Sequence, residues 1–406
     1  MRELRNESSA RTPRVLASSP GGQPPRPPLG VTFRVGSLSP RERNPRMDAL
    51  ASVSDIRKAL AGYAVPDTRR GVMLFLLDLA LFLAGIATVL FAPGWGLQVL
   101  GSLVAGLKGA TLSTIGHDAA HNSFTRSRRL NTLIAVVSLL PGLFNYKLWV
   151  YNHHAIHHAS TNGKHRDAYT PLSKEEYDAL SPLGKLRERF FRAPSLLLFG
   201  PYFILERWWS DKFFPRRHMP AQVQRAAWPY FGLLVGLLVS YSALLLCAPL
   251  YSSQTTSLRA LFLGLILPFF VLHSVFSLSV YLMHTHPRVP WFKGRPDING
   301  DGRQELVTVH LNLPRWSSAL MHNVFNHAAH HVHPAIPCYR LREAQTKLNE
   351  MLGPYAVSVP FSLALVRDIQ RRCKLYDYEN HRWIDFEGRP TTEVLALSVR
   401  REQLTS

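Results

Sequence analysis

Cysteine is scarce. The chain has three in 406 residues, Cys247, Cys338 and Cys373, too few and too scattered for a disulfide scaffold or a cysteine-based zinc module. It contains no CxxC pair, no GxGxxG fingerprint and no HPGG haem motif, so nothing in it reads as a flavin, nicotinamide, iron–sulfur or cytochrome module of its own. Negative charge is short as well, with 27 Asp and Glu against 47 Lys and Arg and a formal charge of +20. That excess comes without a basic groove interleaved with aromatics, a finger or a recognition-helix pattern, which argues against a nucleic-acid partner. Residues 1–46 lack the apolar core of a secretory signal peptide and any helical or strand period. Their Arg, Pro, Ser and Gly composition predicts a disordered basic arm, with Met47 as an alternative start. Two things are abundant instead: long apolar runs and histidine.

The apolar runs are long enough to cross a bilayer, which takes about 20 residues. After an amphipathic pre-membrane segment over 47–71, spans are expected at about 72–92, 97–115, 228–248 and 258–283. Asp78 and Lys108 are the charged exceptions inside the first two. Shorter runs at Leu133–Tyr146 and Ser195–Leu205 suit buried or interfacial helices. Four spans in two hairpins leave segments 116–227 and 284–383, followed by a tail over 384–406, on one side of the membrane. Charge agrees: 16 Lys and Arg fall in 116–227 and 16 in 284–406, while the connectors at 93–96 and 249–257 hold none. By the positive-inside bias both large segments face the cytosol. The fold class is an all-α integral membrane protein whose cytosolic helical cap carries the chemistry.

Half of the 18 histidines fall in three clusters: His117-Asp118-Ala119-Ala120-His121, His153-His154-Ala155-Ile156-His157-His158 and His327-Ala328-Ala329-His330-His331. Imidazoles spaced i, i+4 or i, i+3, i+4 share a helix face and make a chelating set. His284 and His286 follow the fourth span. One HxxxH is weak evidence, but three on one membrane face predict a metal site. Eight box histidines plus His284 are enough for two ions. A thiolate-free imidazole set at a membrane surface favours oxygen-activating iron, and copper also fits.

Together HDAAHNSFTRSRRLN, WVYNHHAIHHAS, MHTHPRVPW and FNHAAHHVHPAIPCYRL resemble the membrane fatty acid desaturase and hydroxylase superfamily, and within it the acyl-lipid Δ12 or omega-6-like branch. The resemblance covers roughly residues 70 to 380. It implies an enzyme with two iron ions that uses O2 and two electrons to place a double bond in a membrane lipid acyl chain. It also implies His117, His121, His154, His157, His158, His327, His330 and His331 as ligands. The resemblance adds a ligand beside the last span, His284, with His286 as runner-up. His153, His322 and His333 flank the boxes and read as supporting or spare. Asp118 is either an imidazole-orienting carboxylate or a solvated acid. Trp149, Trp208, Trp209 and Phe325 are candidates for lining an acyl tunnel, though aromatics near spans are commonly interface anchors.

Electrons have to come from outside, and the basic face suits an acidic carrier of ferredoxin or cytochrome b5 type. Two other readings stand beside the desaturase. One is a hydroxylase or ketolase of the same superfamily acting on a carotenoid, sphingolipid or alkane. The other is a histidine-rich metal transporter, which predicts ligands along the spans. The expected location is the bacterial inner membrane, with the metal site on the cytoplasmic side. His165, His218, His273, His310 and His381 carry no assigned role.

Overall fold

The structure, a computed structural model, describes residues 51–164 and 168–395. The arm expected over 1–46, His165 and the tail beyond residue 395 lie outside the described residues. Among the described residues, four helices are long and apolar enough to cross a membrane: Thr68–Phe91, Trp95–Ala120, Ala221–Leu246 and Ser257–His284, here called spans 1 to 4. At 1.5 Å per residue these run about 36 to 42 Å, beyond the hydrocarbon core of about 30 Å. The helices therefore extend past the apolar runs at several ends, and span 2 carries the first histidine box on its last turn.

Local chemistry sets the ends. Asp67 caps span 1 by accepting a hydrogen bond from the Arg70 backbone N–H. Span 1 stops before Pro93, and Gly94 at φ +79° turns the chain directly into span 2. Spans 1 and 2 approach through their backbones: a Cβ on Gly85 would stand 2.7 Å from the carbonyl oxygen of Gly101. Such small-residue contacts are a common way for helices to associate in lipid. On the other side of span 2, a Cβ on Gly109 would meet the Leu272 side chain of span 4 at 2.6 Å. Span 2 is thus the central helix, with 67% of its apolar window buried in the protein against 28%, 11% and 33% for spans 1, 3 and 4.

The two charges inside the apolar runs find each other. Lys108 Nζ donates to Asp78 Oδ1 at 2.7 Å, and the Thr111 hydroxyl donates to Asp78 Oδ2. His322 Nε2 lies 2.7 Å from the same Oδ2. All four side chains are buried. A lone charge in this setting is costly, and pairing is what makes it tolerable. The network ties spans 1 and 2 to the loop that precedes the third histidine box.

Outside the spans, short helices build the layer that carries the remaining histidines. The pre-membrane helix Val53–Leu60 buries Ile56 and Leu60 in the main core, beside Ala328, Ala329 and Leu348. Its Arg57 Nε donates to the carbonyl of Val332 at 3.1 Å. The expectation of an all-helical chain needs one correction. Strand His310–Asn312 pairs in parallel with Ser358–Pro360, and Leu375–Asp377 pairs antiparallel with Arg382–Ile384. These three-residue strands arise where loops return between helices and pair their backbone groups locally instead of leaving them buried and unbonded. The chain is mostly helical.

Replacing Asp78 by Asn strands Lys108 in a buried site, at an expected cost of about 3–5 kcal/mol. Asp78→Asn combined with Lys108→Met removes both charges and is expected to recover most of that loss. Unfolding midpoints in detergent measure both; a single variant as stable as the parent would refute the pairing's weight.

Candidate metal centre

The first box is held by the end of span 2. Asn122 adopts φ +59° and stops the helix just beyond His121, so His117 and His121 lie one turn apart with ring centroids 4.9 Å from each other. Asp118 braces the first of the two from behind. Its Oδ1 lies 2.8 Å from His117 Nδ1, and its Oδ2 accepts the backbone N–H of Cys338. A carboxylate can only accept, so Nδ1 of His117 carries the proton and Nε2 presents its lone pair.

The second box departs from the expected α-helical face. Helix Tyr146–Val150, capped by the Asn145 side chain, runs into a wide turn over Tyr151–His157. There the His158 N–H donates to the carbonyl of His153, five residues back. Such a turn inserts a residue into the helical repeat and changes which side chains align. His153 and His158 come together, Nε2 to Nε2 at 3.0 Å, and His157 points to a different set. His153 stacks on Trp149 with centroids 4.5 Å apart.

The third box is the helix His327–Val332. Its i, i+4 pair, His327 and His331, shares one set with Nε2 atoms 2.9 Å apart. His330 turns to the other, 3.2 Å from His158 Nε2. His284, the last residue of span 4, reaches His327 Nε2 at 3.0 Å.

Two groups result: His117, His121, His153, His158 and His330, and beside them His157, His284, His327 and His331. Within each, the offered ring nitrogens lie within 4.8 Å of one another. His154 stands just outside the first, its ring centroid 4.2 Å from that of His121 and its Nε2 buried without a partner. His286 is in neither group; its Nδ1 accepts the Arg288 N–H, and its carbonyl accepts the Trp383 indole N–H. His322 is taken up by Asp78. Sequence reasoning missed Gln304, whose Oε1 lies 2.8 Å from His331 Nδ1 and so leaves that Nε2 as the lone-pair atom. No motif marks it, because a single glutamine between boxes carries no spacing signal.

These groups fit cations. Ligands at right angles around a metal with bonds of about 2.1 Å sit about 3 Å apart, which is the spacing of the Nε2 pairs. Nε2 of His117 and His121 is buried with no hydrogen-bond donor to satisfy it. Burial, followed by the neighbouring imidazoles, holds His121, His158, His327, His330 and His331 well below the usual imidazole range. His154 is pushed down to about 4, mainly by burial. Neutral imidazole is the metal-binding form. With no thiolate in either group, the donor set suits iron, copper or zinc.

The groups open onto a cleft between spans 2 and 4. His117, His157, His284 and His327 edge it, while Ala110, Phe203, Val275, Phe276, Val280 and Met283 make its apolar walls. Trp149 lines it; Trp208, Trp209 and Phe325 do not. Further along the same helices lies a second apolar cavity, of about 270 Å³. Leu272 lines that one, a turn of span 4 away from Val275 and Phe276.

A family model described as fatty acid desaturase matches residues 93–362. The chain is 27% identical to the chloroplastic omega-6 fatty acid desaturase of Spinacia oleracea, over 80% of this chain and 69% of the relative. It is 29% identical to the sn-1 oleoyl-lipid 12-desaturase of a Synechocystis strain, over 66% and 72%. An sn-1 acyl-lipid omega-3 desaturase (ferredoxin) of the same organism is 27% identical over 75% and 82%.

Asp118→Asn is expected to weaken metal retention by about 10- to 100-fold while the protein stays folded, because an amide can accept at only one of the two bonded positions. Metal per protein after dialysis against a graded chelator, with helicity measured alongside, gives the result. Undiminished retention would refute the orienting role.

Proposed function

The chain belongs to the fatty acid desaturase family, and we propose how its residues carry out that family's reaction. It is an oxidoreductase that desaturates acyl chains of membrane lipids. The observation that carries this reading is the coincidence of two imidazole groups, one half-buried and one largely buried, with an apolar cleft that opens against them. On our reading the four spans form two hairpins with the histidine layer on the cytoplasmic side, in keeping with the charge bias.

We assign the metals as two iron ions, held by His117, His121, His154, His158 and His330 and by His157, His284, His327 and His331. His154 is preferred over His153 because its Nε2 has no partner. The ring of His153 is stacked against Trp149. Bound iron supplies the oxidising power to remove two hydrogens from adjacent methylenes, with O2 and two external electrons yielding the double bond and water.

The protein's own residues do the rest. Asp118 and Gln304 take the Nδ1 protons of His117 and His331 and aim their Nε2 atoms inward. The apolar walls align an extended chain and keep water from the reacting carbons. From Val275 to His284 span 4 rises by nine residue steps, or about 13.5 Å. Half of a bilayer core, the reach of one acyl tail, is about 15 Å. The Δ12 position suggested by the relatives' names, and an acidic ferredoxin-type donor, belong to this proposal.

Expression in a host that supplies the electron donor is expected to yield a new unsaturated fatty acid in gas-chromatographic profiles, and His330→Ala is expected to abolish both that product and iron content. A hydroxylated product, or full activity in the variant, would overturn the assignment. Leu272→Ala opens the cleft toward the second cavity and is expected to raise the share of longer acyl chains among products.

A further inference from the structure

Among the described residues, the cleft is apolar except for its histidines, a few hydroxyl and amide groups, and two cations, Arg207 and Lys212, and no acidic one lines it. Both cations sit on the wide turn Phe203–Lys212. Three hydrogen bonds pin that turn to the neighbourhood of the second histidine box. The Asn145 N–H donates to the carbonyl of Lys212 at 2.8 Å, Asn152 Nδ2 donates to the carbonyl of Asp211 at 2.8 Å, and Trp208 Nε1 donates to the carbonyl of Gly142 at 3.0 Å. Asn152 itself lines the cleft. The turn therefore holds its cations at a set position relative to the imidazoles.

Arg207 is incompletely used by the protein. Its guanidinium meets Asp211 at 3.4 Å, longer than the 2.7–2.9 Å usual for a charge-assisted bond, and its Nε is buried with no partner. The surroundings locate it in depth. Trp209 and Trp228 are half exposed, and Arg216 lies 4.1 Å over the ring of Phe214. Exposed tryptophans mixed with arginines are the composition of a bilayer interface, where lipid headgroups lie.

We propose that Arg207 and Lys212 form an anion seat for the phosphate of a membrane glycerolipid, so that the acyl chain presented to the metal centre belongs to a phospholipid. This rests on the desaturase reading of the cleft. A guanidinium pairs with two phosphate oxygens at once, and a neighbouring ammonium adds a point charge. A neutral glycolipid offers neither. Acyl-CoA carries phosphates too, but the seat lies in the aromatic belt and inside the cleft, where a lipid headgroup arrives with its tail.

The test uses purified full-length protein in nanodiscs of equal parts phosphatidylglycerol and monogalactosyldiacylglycerol, with retained lipid identified by mass spectrometry after delipidation. The wild type is expected to retain the phospholipid preferentially. Arg207→Gln with Lys212→Gln is expected to reduce that preference roughly tenfold or more, the value of a hydrogen bond to a charged group. Arg207→Lys should restore part of it. Lys293→Gln, an exposed residue away from the cleft, should keep it. Equal retention of both lipids by the wild type, or preference surviving in the double variant, overturns the seat. Displacement of phospholipid by equimolar oleoyl-CoA overturns the lipid as its source. Turnover is followed in the same discs with a reducing donor. Preference intact but no new double bond would refute the desaturase reading while leaving the seat standing.

Discussion

Convergence of neutral imidazoles in a buried space is the constraint on which the rest of this structure depends. Nε2 atoms about 3 Å apart and largely withdrawn from water are stable as a cation's ligands or with a donor for each lone pair. Every nearby feature serves that arrangement. Burial keeps the rings unprotonated. Asp118 and Gln304 set tautomers from opposite sides. The wide turn at Tyr151–His157 brings His153 against His158 and sends His157 to the other group.

The same demand reaches into the membrane-spanning helices. His117 and His284 are carried at the ends of spans 2 and 4, so the separation of those helices sets the gap between the groups. Glycines at 106 and 109 let span 4 lie close to span 2. Asp78 and Lys108 look like defects in a hydrophobic run, yet they hold the loop before the third box through His322. Hydrogen bonds thus lead from span 1 to the third box by one route. A second route links the first box to the chain beyond the third through Asp118 and Cys338.

Substrate and metal are brought together by the geometry of one cleft. Its walls are the faces of spans 2 and 4 that the glycine contacts leave apart further along, and its rim is the histidine layer. Because the cleft is apolar and its cations sit on one pinned turn, chain alignment and headgroup placement come from different parts of the same cavity. This division suits a substrate with one greasy and one charged end.

Much of this was legible in the linear chain. Apolar run length showed four candidate spans, and the spacing within each box showed imidazoles meant for a metal, because both signals are local and periodic. The first box and the i, i+4 pair of the third read correctly as neighbours for that reason. Other features were settled only by tertiary structure. Which histidines share a group depends on a wide turn that has no residue signature, and it sets His153 beside His158 with His154 just outside that group. Gln304 and the Asp78–Lys108–His322 network join residues far apart in sequence, where spacing carries no information. Residue type and local period determined what chemistry the chain could hold. The packing of helices, through close approach at glycine and the need to pair buried charge, decided which atoms meet to perform it.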